Sequence, residues 1–196
     1  MFPGAVLVLV ASCGGHGLAI DYRSVASVPR PPPTASVALQ VRNARSPEHG
    51  GLTERVGTLY ATTRGLSPAS PAHYSGRPLN AEDPETVTDT VRSATFDALV
   101  HAGVSISPGG PLLIASVRDY WADGHDLKKG VIYVSYDLTS PDGRILWHTD
   151  VRGEASVVLM VGNSLVRLFR EALSDVAQHA YDAFRAPDFQ AALRSH

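Results

Sequence analysis

Val131-Ile132-Tyr133-Val134-Ser135-Tyr136-Asp137-Leu138-Thr139-Ser140-Pro141-Asp142-Gly143-Arg144-Ile145-Leu146-Trp147-His148-Thr149-Asp150-Val151-Arg152-Gly153-Glu154 contains two strands and the turn between them. Pro141 presets φ, Asp142 bonds locally to the main chain, and Gly143 tolerates positive φ, which together make a tight hairpin. On the incoming strand, Gly130 to Ser140, Ile132, Val134, Tyr136 and Leu138 alternate with more polar positions. On the outgoing strand, Arg144 to Val158, the odd positions Ile145, Trp147, Val151, Ala155 and Val157 face one way. Arg144, His148, Asp150, Arg152 and Glu154 face the other. A period of two with one apolar and one charged face predicts an antiparallel sheet packed on one side only. A third strand, Leu112 to Trp121, precedes them and is turned by Ala122-Asp123-Gly124-His125-Asp126.

Working outward, Val37, Leu39 and Val41 alternate with Ser36, Ala38 and Gln40 and predict a first strand. Arg55 to Ala61 predicts a short second strand. Residues 62–83 are rich in Ser, Pro and Gly and predict a long surface loop, a candidate partner-contact segment because loops of this length are often functional. Asp83 is the expected N-cap of a helix with Pro84 and Glu85 in its first turn. Val87, Val91, Ala94 and Ala98 form its apolar stripe and Gly103 lies past its end. Val104-Ser105-Ile106 is a short strand. From Gly162 or Asn163 a last helix carries Leu165, Leu168, Phe169, Ala172, Val176, Ala180 and Phe184 on one stripe, and Pro187 ends it. Two one-faced helices and a one-faced sheet predict an α+β two-layer sandwich, a mostly antiparallel sheet with both helices on one face.

The beginning of the chain is of another kind. Val6-Leu7-Val8-Leu9-Val10 is a short apolar run, followed by Ala11-Ser12, the single cysteine Cys13, and a Gly- and Pro-rich stretch ending Val28-Pro29-Arg30-Pro31-Pro32-Pro33. The run is far shorter than the ~20 residues of a transmembrane helix but has the form of a signal-peptide apolar region before small residues. Met1-Phe2-Pro3-Gly4 carries no Lys or Arg, so either the basic segment comes from a start further upstream, the favoured expectation, or translocation is inefficient. The organisation expected is a signal peptide over 1–12, a tether over 13–34 with polyproline character, one globular domain over 35–185 and a C-terminal tail over 186–196.

Net charge is −2 with His neutral and the pI is about 6.4, which argues against a nucleic-acid partner. Cys13 is the single cysteine of the sequence, so no disulfide can form within it.

Val10-Ala11-Ser12-Cys13 resembles the lipobox of bacterial lipoproteins. The resemblance implies cleavage between Ser12 and Cys13, diacylation of the Cys13 thiol and acylation of the new amino terminus. Gly14, where inner-membrane lipoproteins carry Asp, implies outer-membrane sorting with the domain facing the periplasm. The strand Val37 to Arg45, Val56-Gly57, the helix ending Ala98 to Val104, and the meander with its last helix are together similar to small outer-membrane lipoproteins of the YajG-like type. In element order they also resemble LPS-assembly lipoproteins of the LptE type and auxiliary lipoproteins of ABC transport systems. What this implies is a non-enzymatic domain that binds an envelope protein partner, with no cofactor.

The chemical candidates are few. His49-Gly50-Gly51 resembles an esterase oxyanion loop, but the Gly-x-Ser-x-Gly elbow that would accompany it is missing. Asp123, His125 and Asp126 suit a metal by type but are short of a full ligand set and sit in a required turn, so no metal is expected. His148 and Asp150, two apart on one strand face, are the alternative: a base and its orienting carboxylate in an envelope hydrolase. The simpler expectation is a solvated face with cross-strand ion pairs. Asp182 and Arg185 are expected as ordinary surface charges. Tyr120, Trp121, Tyr133, Tyr136 and Trp147 cluster on the meander; core packing is the default, and an outward pair would make a binding patch. A third alternative is a purely structural envelope lipoprotein that self-associates.

Overall fold

The structure, a computed structural model, describes residues 29–46, 56–59, 74–77, 86–123, 128–158 and 164–195. Seven strands form one mixed sheet: β1 (Ala35–Asn43), β2 (Val56–Leu59), β3 (Tyr74–Arg77), β4 (Val104–Ile106), β5 (Leu112–Asp123), β6 (Lys129–Thr139) and β7 (Ile145–Ser156). Helices α1 (Val87–His101), α2 (Ser164–Arg185) and α3 (Pro187–Arg194) complete it. The long ladders β5–β6 and β6–β7 are antiparallel. β1 is parallel to both neighbours, β4 and β5. Because β6 occupies one edge of β5 along its whole length, β1 and β2 share the other edge end to end. Ala38–Asn43 pairs with Leu112–Val117, and Gly57 and Thr58 pair with Trp121 and Ala122.

Arg45 closes the gap between β1 and β2. It is 5% exposed and donates from Nη1 to the Tyr120 carbonyl at 3.4 Å and from Nε to Asn43 Oδ1 at 3.1 Å. A buried guanidinium is tolerated only where its donors are used.

All three helices pack on one face. Tyr120 stacks on Phe169 with centroids 5.4 Å apart, Tyr136 meets Phe184 edge-on at 5.3 Å, and Trp147 meets Phe189 at 4.7 Å. The predicted stripes are in place: Val87, Val91, Ala94 and Ala98 of α1 and Leu168, Phe169, Ala172, Val176, Ala180 and Phe184 of α2 are at most 1% exposed. The two buried tyrosines spend their hydroxyls on α1, Tyr120 accepting from Thr90 at 3.3 Å and Tyr136 sharing a 3.0 Å bond with Thr95. Burial pushes the Tyr136 phenol up to about 12.

β5 keeps this face only because it is irregular. Val117 pairs with Val134 but Asp119 pairs with Tyr133, leaving Arg118 as an extra residue. Leu113, Ala115 and Val117 point to the core before the bulge, and Tyr120 and Ala122 after it. Unbulged alternation would have turned Tyr120 away, since a one-residue slip exchanges the faces.

Several expectations need correcting. The N-cap of α1 is Thr86, whose hydroxyl accepts from the Asp89 amide at 3.1 Å while Asp89 accepts from the Thr86 amide at 3.2 Å. This reciprocal capping box lies three residues after Asp83, which is outside the described residues. β5 runs on to Asp123, and Tyr74–Arg77, inside the expected loop, is a strand paired with β2. Ile145 does not share the Trp147 face: the register shifts between Leu138 and Thr139, Leu146 becomes the extra residue, and Ile145 is 60% exposed. The expected tail is α3, with Pro187 at its start rather than simply ending α2, and its Phe189 and Leu193 join the core. The last residues of the expected tether are docked. Thr34 N–H donates to the Gly103 carbonyl at 2.8 Å, and Arg30 lies 3.9 Å from Asp97. Gly103 has φ of +79°, as its place after the helix requires.

Candidate functional site: the polar face of the sheet

The face opposite the helices is built by cross-strand register. Gln40, Ile114, Asp137 and His148 form one rung, and Arg42, Ser116, Ser135 and Asp150 the next. Asp119, Tyr133 and Arg152 follow, then Trp121, Val131 and Glu154. Among the described residues no helix packs on it.

Charged side chains tie the rungs together. His148 Nδ1 donates to Asp137 Oδ1 at 2.7 Å, and its Nε2 lies 3.7 Å from Asp150. Arg42 Nε donates to Ser116 at 2.8 Å and Arg118 Nε to Ser135 at 3.3 Å. Those two serines are buried, 0% and 4% exposed, beneath the guanidiniums. Glu154 bridges Lys129 and Arg152, each at 2.6 Å.

The electrostatics follow the contacts. The Asp137 carboxylate holds the His148 imidazole above its usual value, with burial opposing and Asp150 assisting. The Ser135 hydroxyl, then Tyr133 and His148, hold Asp150 below the usual carboxylate range. The Tyr133 phenol is raised, chiefly by its bond to Asp150. Lys129 first, then Arg152, hold Glu154 down.

Both nitrogens of His148 thus face carboxylates. The arrangement favours an imidazolium, whereas a general base must offer a free ring nitrogen to its substrate. What the structure shows on this face is charge pairing within and across the strands. Of the aromatic cluster, Tyr120, Tyr136 and Trp147 are core residues. The Trp147 indole donates to Asp188 of α3 at 3.1 Å. Tyr133 and Trp121 lie on the polar face, half-buried. Asp182 accepts from Gln178, and Arg185 lies over the Tyr181 ring at 5.3 Å.

Cys13, Ser12, His49-Gly50-Gly51, residues 124–127 and the rest of the 62–83 segment lie outside the described residues. Asp123 is described as the end of β5, and among the described residues no group of His, Cys, Asp or Glu could hold a metal ion. Sequence reasoning singled out Tyr133 within the aromatic cluster but missed Asp137, Ser135, Arg42 and Arg118. Counting back from the turn pairs Asp137 with Trp147; the extra residue Leu146 moves it to His148.

No protein-family model and no curated protein matches the chain. Among solved structures the chain is similar to a Xanthomonas campestris protein of the DUF330 family. The identity is 16%, over 84% of this chain and 92% of that one, with a TM-score of 0.58. It is also similar to an uncharacterised protein, 15% identical over 79% of this chain and 93% of that one, with a TM-score of 0.53. At these identities the likeness concerns the fold.

Proposed function

We propose that this is a lipid-anchored protein of the bacterial cell envelope whose periplasmic α+β domain binds a protein partner and catalyses no reaction. The observation that carries the reading is Val10-Ala11-Ser12-Cys13 before Gly14, a lipobox-like run placed ahead of a Gly- and Pro-rich segment. Acyl chains on Cys13 hold the protein to the outer membrane, since two or more chains suffice for stable anchoring. The chain is docked on the α1–β4 corner by Arg30 and Thr34, which leaves only the segment before Arg30 to span the distance to the membrane. Residues 13–28 reach at most about 58 Å when extended.

The finer role is that of an assembly or transport-auxiliary module, the roles implied by the families whose element order this chain resembles. Charge pairing at both ring nitrogens of His148 supports a binding face over the hydrolase alternative.

The test is metabolic labelling of cells with an alkyne fatty acid, wild type beside Cys13→Ser. Label on the wild type and none on the variant supports the anchor; no label on either overturns it. Crosslinked pull-down from an envelope extract then tests the partner, and recovery of nothing beyond the chain itself counts against a binding module.

A further inference from the structure

We propose that the edge of β7 around Thr149 pairs with the same edge of a second copy of this chain, antiparallel and with Thr149 at the two-fold axis. β7 is a 12-residue strand whose only described strand partner is β6. The Val157 amide donates to the Lys128 carbonyl, and the register runs unbroken from Ser156–Lys129 to Trp147–Leu138. Odd-numbered residues of β7 therefore spend their main-chain groups on β6, and even-numbered residues turn theirs outward.

Part of that outward edge is already closed by α2. The Glu154 amide donates to Asp175 at 3.1 Å, and His179 Nδ1 donates to the Arg152 carbonyl at 3.1 Å. Among the described residues nothing bonds the main chain of His148 or Asp150 on this side. Such unpaired edge groups are a template for another strand.

Charge then selects the occupant and the register. The exposed side chains along β7 alternate as His148, Asp150, Arg152 and Glu154. A two-fold axis at Asp150 would set Asp150 against its own copy and His148 against Arg152. An axis at Val151 matches opposite charges but needs the main chain of Arg152 and Glu154, which α2 holds. An axis at Thr149 sets each His148 opposite the other copy's Asp150, uses only open main-chain groups, and brings the two Thr149 residues together as a favourable cross-strand pair. The charge pattern of β7 is self-complementary in this register, which is why a second copy fits it.

The test uses the full chain in mild detergent with Cys13→Ser, so that an introduced thiol is the only one. Thr149 and its copy would form a non-hydrogen-bonded pair with Cα atoms about 4.5 Å apart, within disulfide reach. Mild oxidation of Thr149→Cys is expected to give a covalent dimer and Ser156→Cys a monomer. A monomer from Thr149→Cys, or equal crosslinking at both positions, overturns the proposal. By sedimentation velocity the chain is expected to dimerise with concentration; a monomer at every concentration, as when a different protein's strand takes the edge, overturns it. Asp150→Lys should weaken association by about tenfold or more, because like charges then meet across the axis. His148→Asp combined with Asp150→His should restore it; no loss in the first variant, or no recovery in the second, overturns the register.

Discussion

Gly153 lies directly beneath α2. A Cβ there would collide with the Ala172 carbonyl oxygen and stand 2.8 Å from the main-chain nitrogen and Cγ2 of Val176. Gly130, paired in register with Ala155 on the same face, meets Leu168 in the same way at 3.0 Å. The two missing side chains are what let α2 settle against the sheet and bring Asp175 and His179 to the β7 edge.

Gly153→Ala should therefore destabilise the domain by about 3 kcal/mol, the upper part of the range for overpacking, since backbone cannot yield as a side-chain tip does. Gly109→Ala, with nothing within 4 Å of the added atom, serves as the neutral control. Denaturant unfolding of both variants decides the matter; equal midpoints would mean that α2 is not seated on Gly153.

His148 should titrate above about 6.5, its ordinary value, and return toward it in Asp137→Asn, as read from the imidazole proton shifts. The folded value is raised, so the stabilisation is fully present below about pH 6.5 and is lost as pH rises through the folded value. With the side chain 52% exposed, solvent screening keeps the effect small. A titration midpoint unmoved by Asp137→Asn would remove the pair.

Asp150 gives the opposite sign. Its folded value lies below the usual carboxylate range, so its contribution holds above about pH 3.9 and disappears as pH falls through the folded value. Ser135→Ala, which removes the largest cause, should raise the Asp150 midpoint measured by carboxyl chemical shifts.

Tyr136→Phe should cost about 1–2 kcal/mol, because Thr95 loses its partner in a dry core. Adding Thr95→Val should recover part of the loss, the signature of two groups that act as a pair. Additive losses in the double variant would show that the two hydroxyls are satisfied elsewhere.

Thr86→Ala should cost about 1 kcal/mol, the usual loss for a helix N-cap, and Asp83→Ala should be neutral to α1. Equal effects of the two, measured by thermal unfolding, would return the cap to Asp83.

The two-layer α+β arrangement was legible because its signals are local. Alternation in Ile132 to Leu138, the Pro141-Asp142-Gly143 turn and the stripes of α1 and α2 each lie within a short window. What escaped depends on single residues that local periodicity does not mark. Arg118 and Leu146 are ordinary strand residues, yet each is the extra one that exchanges faces, so Tyr120 stays in the core and Ile145 leaves it. The parallel setting of β1 beside β5 also escaped, since it joins segments some 70 residues apart; the bond from Arg42 to Ser116 spans 74. The polar face was half legible: His148, Asp150, Arg152 and Glu154 follow from alternation, whereas Asp137 and Ser135 come from a register that the Leu146 bulge had displaced.

The place of β1 has a consequence for how the molecule comes into being. Both of its neighbours, β4 and β5, are made later in the chain, and Thr34 finds its partner Gly103 only across 69 positions. Closing so long a loop costs entropy before any contact repays it, and such pairings slow folding. A chain threaded amino terminus first through a membrane would thus hold its leading strand unpaired until β4 and β5 had emerged. Late closure of the sheet would keep the polypeptide threadable for most of its passage.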